Sequence, residues 1–222
     1  YHSSLESLRG LENLTELGGT LFIEQNSGLV DLTGLEGLEH VPENIYIRYN
    51  TNLQELTGLD NLVSVGEDLN FTGNDSLFDM RGLGSLSQIG DSFYVVSNDD
   101  LQTFEGLENL REITGPMSIS NHLYLESLEG LEGLEWIGGD VQITHNDRLV
   151  DMSGLSGLEE IDGRLKATGD RLTNLSPNKS LKELMILASI SACSSALVFP
   201  RACSLLSRHS LSLSASGSAP SR

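Results

Sequence analysis

The sequence predicts a mainly β fold, a solenoid of seven 24-residue coils, on three observations. Leucines stand at Leu5, Leu29, Leu53, Leu77, Leu101, Leu125 and Leu149, each 24 residues from the last. Five residues beyond each is a glycine, from Gly10 to Gly154, followed by leucine and, three residues on, leucine again. Finally, each row contains an apolar-polar-apolar triplet: Leu21 and Ile23, Ile45 and Ile47, Leu69 and Phe71, Phe93 and Val95, Met117 and Ile119, Val141 and Ile143, Leu165 and Ala167. Self-similarity at a fixed period of this length marks a repeat architecture, in which stacked rows bury a core that no single row could.

The leucines at spacing three do not make a helix. In LESLEGLEGLEWIGG, starting at Leu125, three helical residues advance about 300°, so the apolar stripe slips about 60° per step. Over Leu125 to Ile137 it would wander round the axis instead of forming one face, and the glycines weaken a helix further.

Each row takes the form Leu-x-x-Leu-x-Gly-Leu-x-x-Leu-x-x-Ile-Gly-x-x-Leu-x-Ile-x-x-Asn. The leucines and the residues Leu17, Val41, Val65, Ile89, Ile113, Ile137 and Ile161 are inward ribs. Glycines supply corners where φ is positive or two backbones approach closely. The Leu-x-Ile triplet has period two and is a short strand with one inward face. Three residues past it come Asn26, Asn50, Asn74, Asn98, His122, Asn146 and Asp170. Stacked, these form an asparagine ladder that satisfies buried backbone groups, with His122 replacing one rung. At roughly 4.8 Å per row, seven rows make a rod about 34 Å long.

With both the Gly-Leu-x-x-Leu-x-x-Ile-Gly and the Leu-x-Ile-x-x-Asn pieces recurring in register over roughly residues 5–172, the chain resembles the receptor L-domain type of leucine-rich repeat. That repeat occurs in the ectodomains of the insulin and epidermal growth factor receptors and in diverse microbial surface proteins. The resemblance implies a right-handed β-solenoid and a general recognition role, extracellular or on a cell surface. The body differs from the animal receptors in its lack of cysteine, its uniform rows, and the absence of a cysteine-rich module or kinase from the sequence. Growth-factor binding is therefore not implied.

The expected organisation is a repeat solenoid over 1–172, a C-terminal cap over 173–184 and a Ser-rich irregular tail over 185–222. The tail holds both cysteines, Cys193 and Cys203, with 12 serines in 38 residues and no acid. Its apolar run from Leu184 to Phe199 is 16 residues, short of the roughly 20 that span a bilayer. Irregular structure is therefore expected there ahead of a membrane anchor. No signal peptide is visible before the first row, which also has no cap. Truncation of a longer array is the first expectation and end-to-end self-association through the exposed edge the second.

All 32 acidic residues lie at or before Glu183 with 10 of the 13 basic ones, so that part carries 10 − 32 = −22. Such a body repels phosphate backbones, and nucleic acid is not an expected partner. The five histidines are scattered, and no serine stands at a suggestive spacing from a histidine and a carboxylate. With no phosphate loop or HExxH either, neither enzyme activity nor a cofactor is expected. The acidic column Glu12, Glu36, Asp60, Glu108 and Glu132 is expected to be a solvated face, with a divalent-cation site as the lesser reading, so no metal site is assigned.

Candidate ligand contacts are the outward residues. The middle strand column runs Phe22, Tyr46, Asn70, Tyr94, Ser118, Gln142, Lys166, and the column two residues on runs Glu24, Arg48, Thr72, Val96, Ser120, Thr144, Thr168. Phe22, Tyr46, Arg48, Tyr49, Asn70 and Tyr94 are the candidates on this face, because aromatic and arginine side chains dominate recognition hot spots. Trp136, the only tryptophan, is the candidate in an otherwise polar column. The expected partner is a protein or a glycan. A structural or adhesive spacer is the alternative, and an ice-binding array a remote one, since the outward columns are not regular. Asn13, Asn70, Asn74, Asn174 and Asn178 each open an Asn-x-Ser/Thr acceptor pattern that fits a secreted origin.

Overall fold

The computed structural model describes residues 5–168, and the period-three leucines follow one another through tight turns. Leu35 N–H donates to the Leu32 carbonyl (3.3 Å) and Leu38 N–H to that of Leu35 (3.0 Å), and row after row repeats this i to i+3 closure. Turns of this kind point every third side chain the same way without a helix, and the leucines of rows two to six are almost fully buried.

Two short strands complete most rows. Numbered in chain order, β1 (Leu21–Glu24), β3 (Ile45–Arg48), β5 (Leu69–Thr72), β7 (Phe93–Val96), β9 (Met117–Ser120), β11 (Val141–Thr144) and β13 (Leu165–Ala167) form one parallel sheet of seven strands in sequence order. The register is 24 throughout, as in Tyr46 opposite Asn70 and Asn70 opposite Tyr94. A second parallel sheet of six two-residue strands comprises β2 (His40–Val41), β4 (Ser64–Val65), β6 (Gln88–Ile89), β8 (Glu112–Ile113), β10 (Trp136–Ile137) and β12 (Glu160–Ile161). The molecule is thus a parallel β-solenoid, mainly β, whose only helical piece among the described residues is one 3-10 turn at Ser153–Leu155.

Two features of the rows fix their shape. Gly58 has φ +113°, and a Cβ there would stand 2.1 Å from the Leu32 carbonyl oxygen of the row before; Gly130 repeats this against Phe104. Left-handed backbone and direct contact between successive rows together admit only glycine. At the far corner asparagines of successive rows stack. Asn74 Oδ1 accepts the Asn50 N–H (3.1 Å) and its Nδ2 donates to the Ile47 carbonyl (2.8 Å), with the side chain fully buried. Asn50, Asn98 and Asn146 bond likewise, and Asn50 Oδ1 takes the Asn26 N–H.

Three details add to the expected pattern. The acidic column is solvated, with Glu12, Asp60, Glu108 and Glu132 exposed and Glu36 half-buried, and each of the five accepts the N–H of the glycine two residues earlier, at 2.8–3.0 Å. The carboxylates close the glycine turns. Secondly, Thr144 and Ser120 are buried (1% and 7% exposed) although they belong to an outward column. They are small, lie opposite each other in register, and Gln142 Nε2 donates across to Thr144 Oγ1 at 3.4 Å. Thirdly, in row one Leu5 and Leu11 are both 42% exposed, because no row covers them among the described residues. The cap at 173–184, the tail with its cysteines, Asp170, Asn174 and Asn178 lie outside the described residues.

Candidate functional site

Period-two alternation in β1 and β3 buries Ile23, Ile45 and Ile47 and turns Phe22, Tyr46, Glu24 and Arg48 outward. Row stacking then sets Phe22 opposite Tyr46 and Glu24 opposite Arg48. The rings of Phe22 and Tyr46 have centroids 5.1 Å apart and are tilted by 41°. The Arg48 guanidinium lies 3.9 Å from the Tyr46 centroid and 3.5 Å from Glu24. Phe22 remains 61% exposed, and Arg48 Nε is shielded with no hydrogen-bond partner.

Tyr46 also ties this cluster to the corner preceding the strands. Its hydroxyl donates to Asp68 Oδ2 (3.1 Å). Burial, and then this bond to a carboxylate, push its pKa above the usual phenol range. Asp68 Oδ1 takes the Ser92 N–H (3.1 Å), and Asn44 Oδ1 takes that of Asp68 (3.0 Å). Asn44 Nδ2 donates to Glu67 Oε2 at 2.8 Å, while Thr20 donates to Glu43 Oε2 at 2.9 Å. A second side-chain ladder therefore runs beside the aromatic column. Its signal was present in the sequence as Thr20, Asn44, Asp68 and Ser92 at spacing 24, short polar residues just before the strand, with Pro116 interrupting the column and Asp140 resuming it.

The other candidates are placed differently. Asn70 stands between Tyr46 and Tyr94 in the column and accepts the Thr72 hydroxyl at 2.7 Å, so Tyr94 lies two rows from Tyr46. Tyr49 sits at the corner with φ +56° and is exposed; its ring covers the place where a Cβ of Gly73 would be. Gln25, Ser97, Asn121 and His145 share that left-handed backbone in their rows. Trp136 belongs to the second sheet, flanked in register by Glu112 and Glu160, and does not join the aromatic cluster. Five of the seven candidates therefore lie in rows one to three around Tyr46, and two stand apart.

Stacking also brings together a pair that linear spacing concealed: His40 Nδ1 is 2.9 Å from Ser64 Oγ, exactly one row on, on the outer face of the second sheet. His40 is exposed, and no carboxylate among the described residues bonds to it. Asp75 has its pKa raised by burial and by its neighbours Asp99 and Asp100. Among the described residues no group of histidine, cysteine and carboxylate side chains could hold a metal ion, and no helix is long and apolar enough to cross a membrane.

The class these features define is the parallel β-solenoid repeat protein, with the Phe22–Tyr46–Arg48 cluster on the outward face of the first rows of its larger sheet. No family model matches the chain, and neither does any curated protein or solved structure.

Proposed function

We propose that the chain is a non-catalytic recognition module, extracellular or on a cell surface, built from leucine-rich repeats of the receptor L-domain type. Its ligand, a protein or a glycan, docks on the outward face of the larger sheet. The observation that carries this reading is the Phe22–Tyr46–Arg48 cluster: an exposed ring, a second ring packed on it at 5.1 Å, and a guanidinium over the second ring. Aromatic and arginine side chains held rigid by their neighbours contribute most of the binding energy at recognition surfaces, because little ordering cost remains.

The test is capture from an array of extracellular protein domains and glycans. Wild type is expected to bind a discrete ligand, and the Phe22→Ala/Tyr46→Ala double variant to lose it with an unchanged circular dichroism spectrum. Equal capture by the double variant would remove this face from consideration.

A further inference from the structure

The geometry points to a neutral sugar ring as the ligand of this face, stacked on Phe22 with its hydroxyls donated to the carboxylates of the adjacent ladder; this rests on the recognition reading above. An incoming cation is the obvious competitor for an acidic aromatic patch, but its place is taken. Arg48 already occupies the Tyr46 face at 3.9 Å and is itself paired with Glu24. What stays open is the apolar face of Phe22, 61% exposed, and a set of hydrogen-bond acceptors.

Those acceptors are held in place by neutral donors. Glu43 is fixed by the Thr20 hydroxyl, Glu67 by the Asn44 amide, and Asp68 by the Tyr46 hydroxyl and the Ser92 N–H. None of the three forms an ion pair among the described residues. A carboxylate offers about four lone-pair sites, so each keeps acceptor capacity for a ligand hydroxyl. Thr20, which anchors Glu43, lies two residues from Phe22 along the chain, roughly 7 Å when extended, comparable to the width of a monosaccharide. A sugar ring presents a C–H face to an aromatic ring and hydroxyl donors at its edge. Fixed acceptors bind such donors with little further ordering cost.

Charge narrows the class. The patch that Phe22 and Tyr46 share with the ladder holds Glu24, Glu43, Glu67 and Asp68 against Arg48, a balance of 1 − 4 = −3. Sulfated, phosphorylated or sialylated glycans are therefore repelled, and neutral ones accepted.

The experiment applies the full chain to an array of neutral and anionic oligosaccharides, followed by calorimetric titration of any neutral oligosaccharide that binds. Neutral oligosaccharides alone are expected to bind, Phe22→Ala to weaken binding at least tenfold, Glu67→Gln severalfold, and Phe22→Trp to retain it. Melting curves confirm that each variant is folded. Binding of anionic glycans only, or of neutral glycans with no loss in Phe22→Ala, overturns the assignment. A blank glycan array, together with a protein ligand lost in Phe22→Ala/Tyr46→Ala, overturns the sugar and keeps the recognition face. A protein ligand bound equally by that double variant overturns both.

Discussion

The backbone N–H of Asn98 meets His122 Nδ1 at 3.2 Å, while the other ring nitrogen of His122 lies 3.0 Å from the Val95 carbonyl. An imidazole that accepts at Nδ1 and donates at Nε2 reproduces the acceptor and donor of an asparagine amide. His122 is thus a rung of the ladder, linked onward by its own N–H to Asn146 Oδ1 at 3.1 Å.

That rung has a pH dependence that asparagine lacks. Burial lowers the His122 pKa, opposed by the Asn98 carbonyl 2.9 Å from Nδ1 and the Val95 carbonyl, which can both accept from the ring at once only when it is charged, and by the charge of Asp99. The unfolded chain takes up a proton near pH 6.5 that the folded chain resists, so stability is full above that pH and falls below it, down to the depressed folded pKa. The slope approaches about 1.4 kcal/mol per pH unit for one group. Urea unfolding at pH 7.5 and 5.5 is expected to show a smaller loss in His122→Asn than in wild type. Equal losses would mean that His122 does not carry the effect.

Asn74→Ala removes an acceptor from the Asn50 N–H and a donor from the Ile47 carbonyl, both in the buried corner. At about 1–3 kcal/mol for each orphaned group, a loss of roughly 2–6 kcal/mol is expected by chemical denaturation. Asn70→Ala, on the outer face, is expected to cost under about 1 kcal/mol.

The glycine corners separate two costs. Gly10 and Gly58 have similar backbone, φ +109° and +113°, but a Cβ on Gly10 meets nothing within 4 Å, whereas on Gly58 it lands 2.1 Å from the Leu32 oxygen. Gly10→Ala is expected to cost about 1–2 kcal/mol from conformation alone. Gly58→Ala must also push two rows apart and is expected to lose more than twice as much. Similar melting temperatures for the two variants would show that row contact is not the constraint.

These residues also show what was legible in the sequence. The inward ribs, the larger sheet and the asparagine ladder could be read because each needs one residue type at one position in every row. The second sheet could not, since two residues such as His40 and Val41 leave no period to detect. The acidic column could be read as surface charge, but its bonds to the glycines could not, because the contact of Glu36 with Gly34 depends on turn geometry. The His40–Ser64 pair and the Thr20–Glu43 contact become visible only once residues 24 or 23 apart are read as neighbours. The grouping of Phe22, Tyr46 and Arg48 followed from the columns, whereas the placement of Trp136 depended on the unrecognised sheet.

Row deletion distinguishes recognition from spacing. Removing residues 101–124 joins Asp100 to Leu125 in register, and each flanking row regains the partner type it had, because ladder, ribs and glycine corner repeat at 24. Nearest-neighbour stacking makes the loss close to that of one row and its interface. The shortened chain is expected to fold with the same circular dichroism shape and to keep full ligand binding, since Phe22, Tyr46, Arg48 and Asp68 lie in rows untouched by the cut. Removing residues 29–52 instead takes Tyr46 and Arg48 and sets Phe22 beside Asn70; this chain is expected to fold equally well and to bind nothing. A spacer would respond to both deletions alike, through length only, so equal binding or equal loss in the two chains would favour that role over recognition.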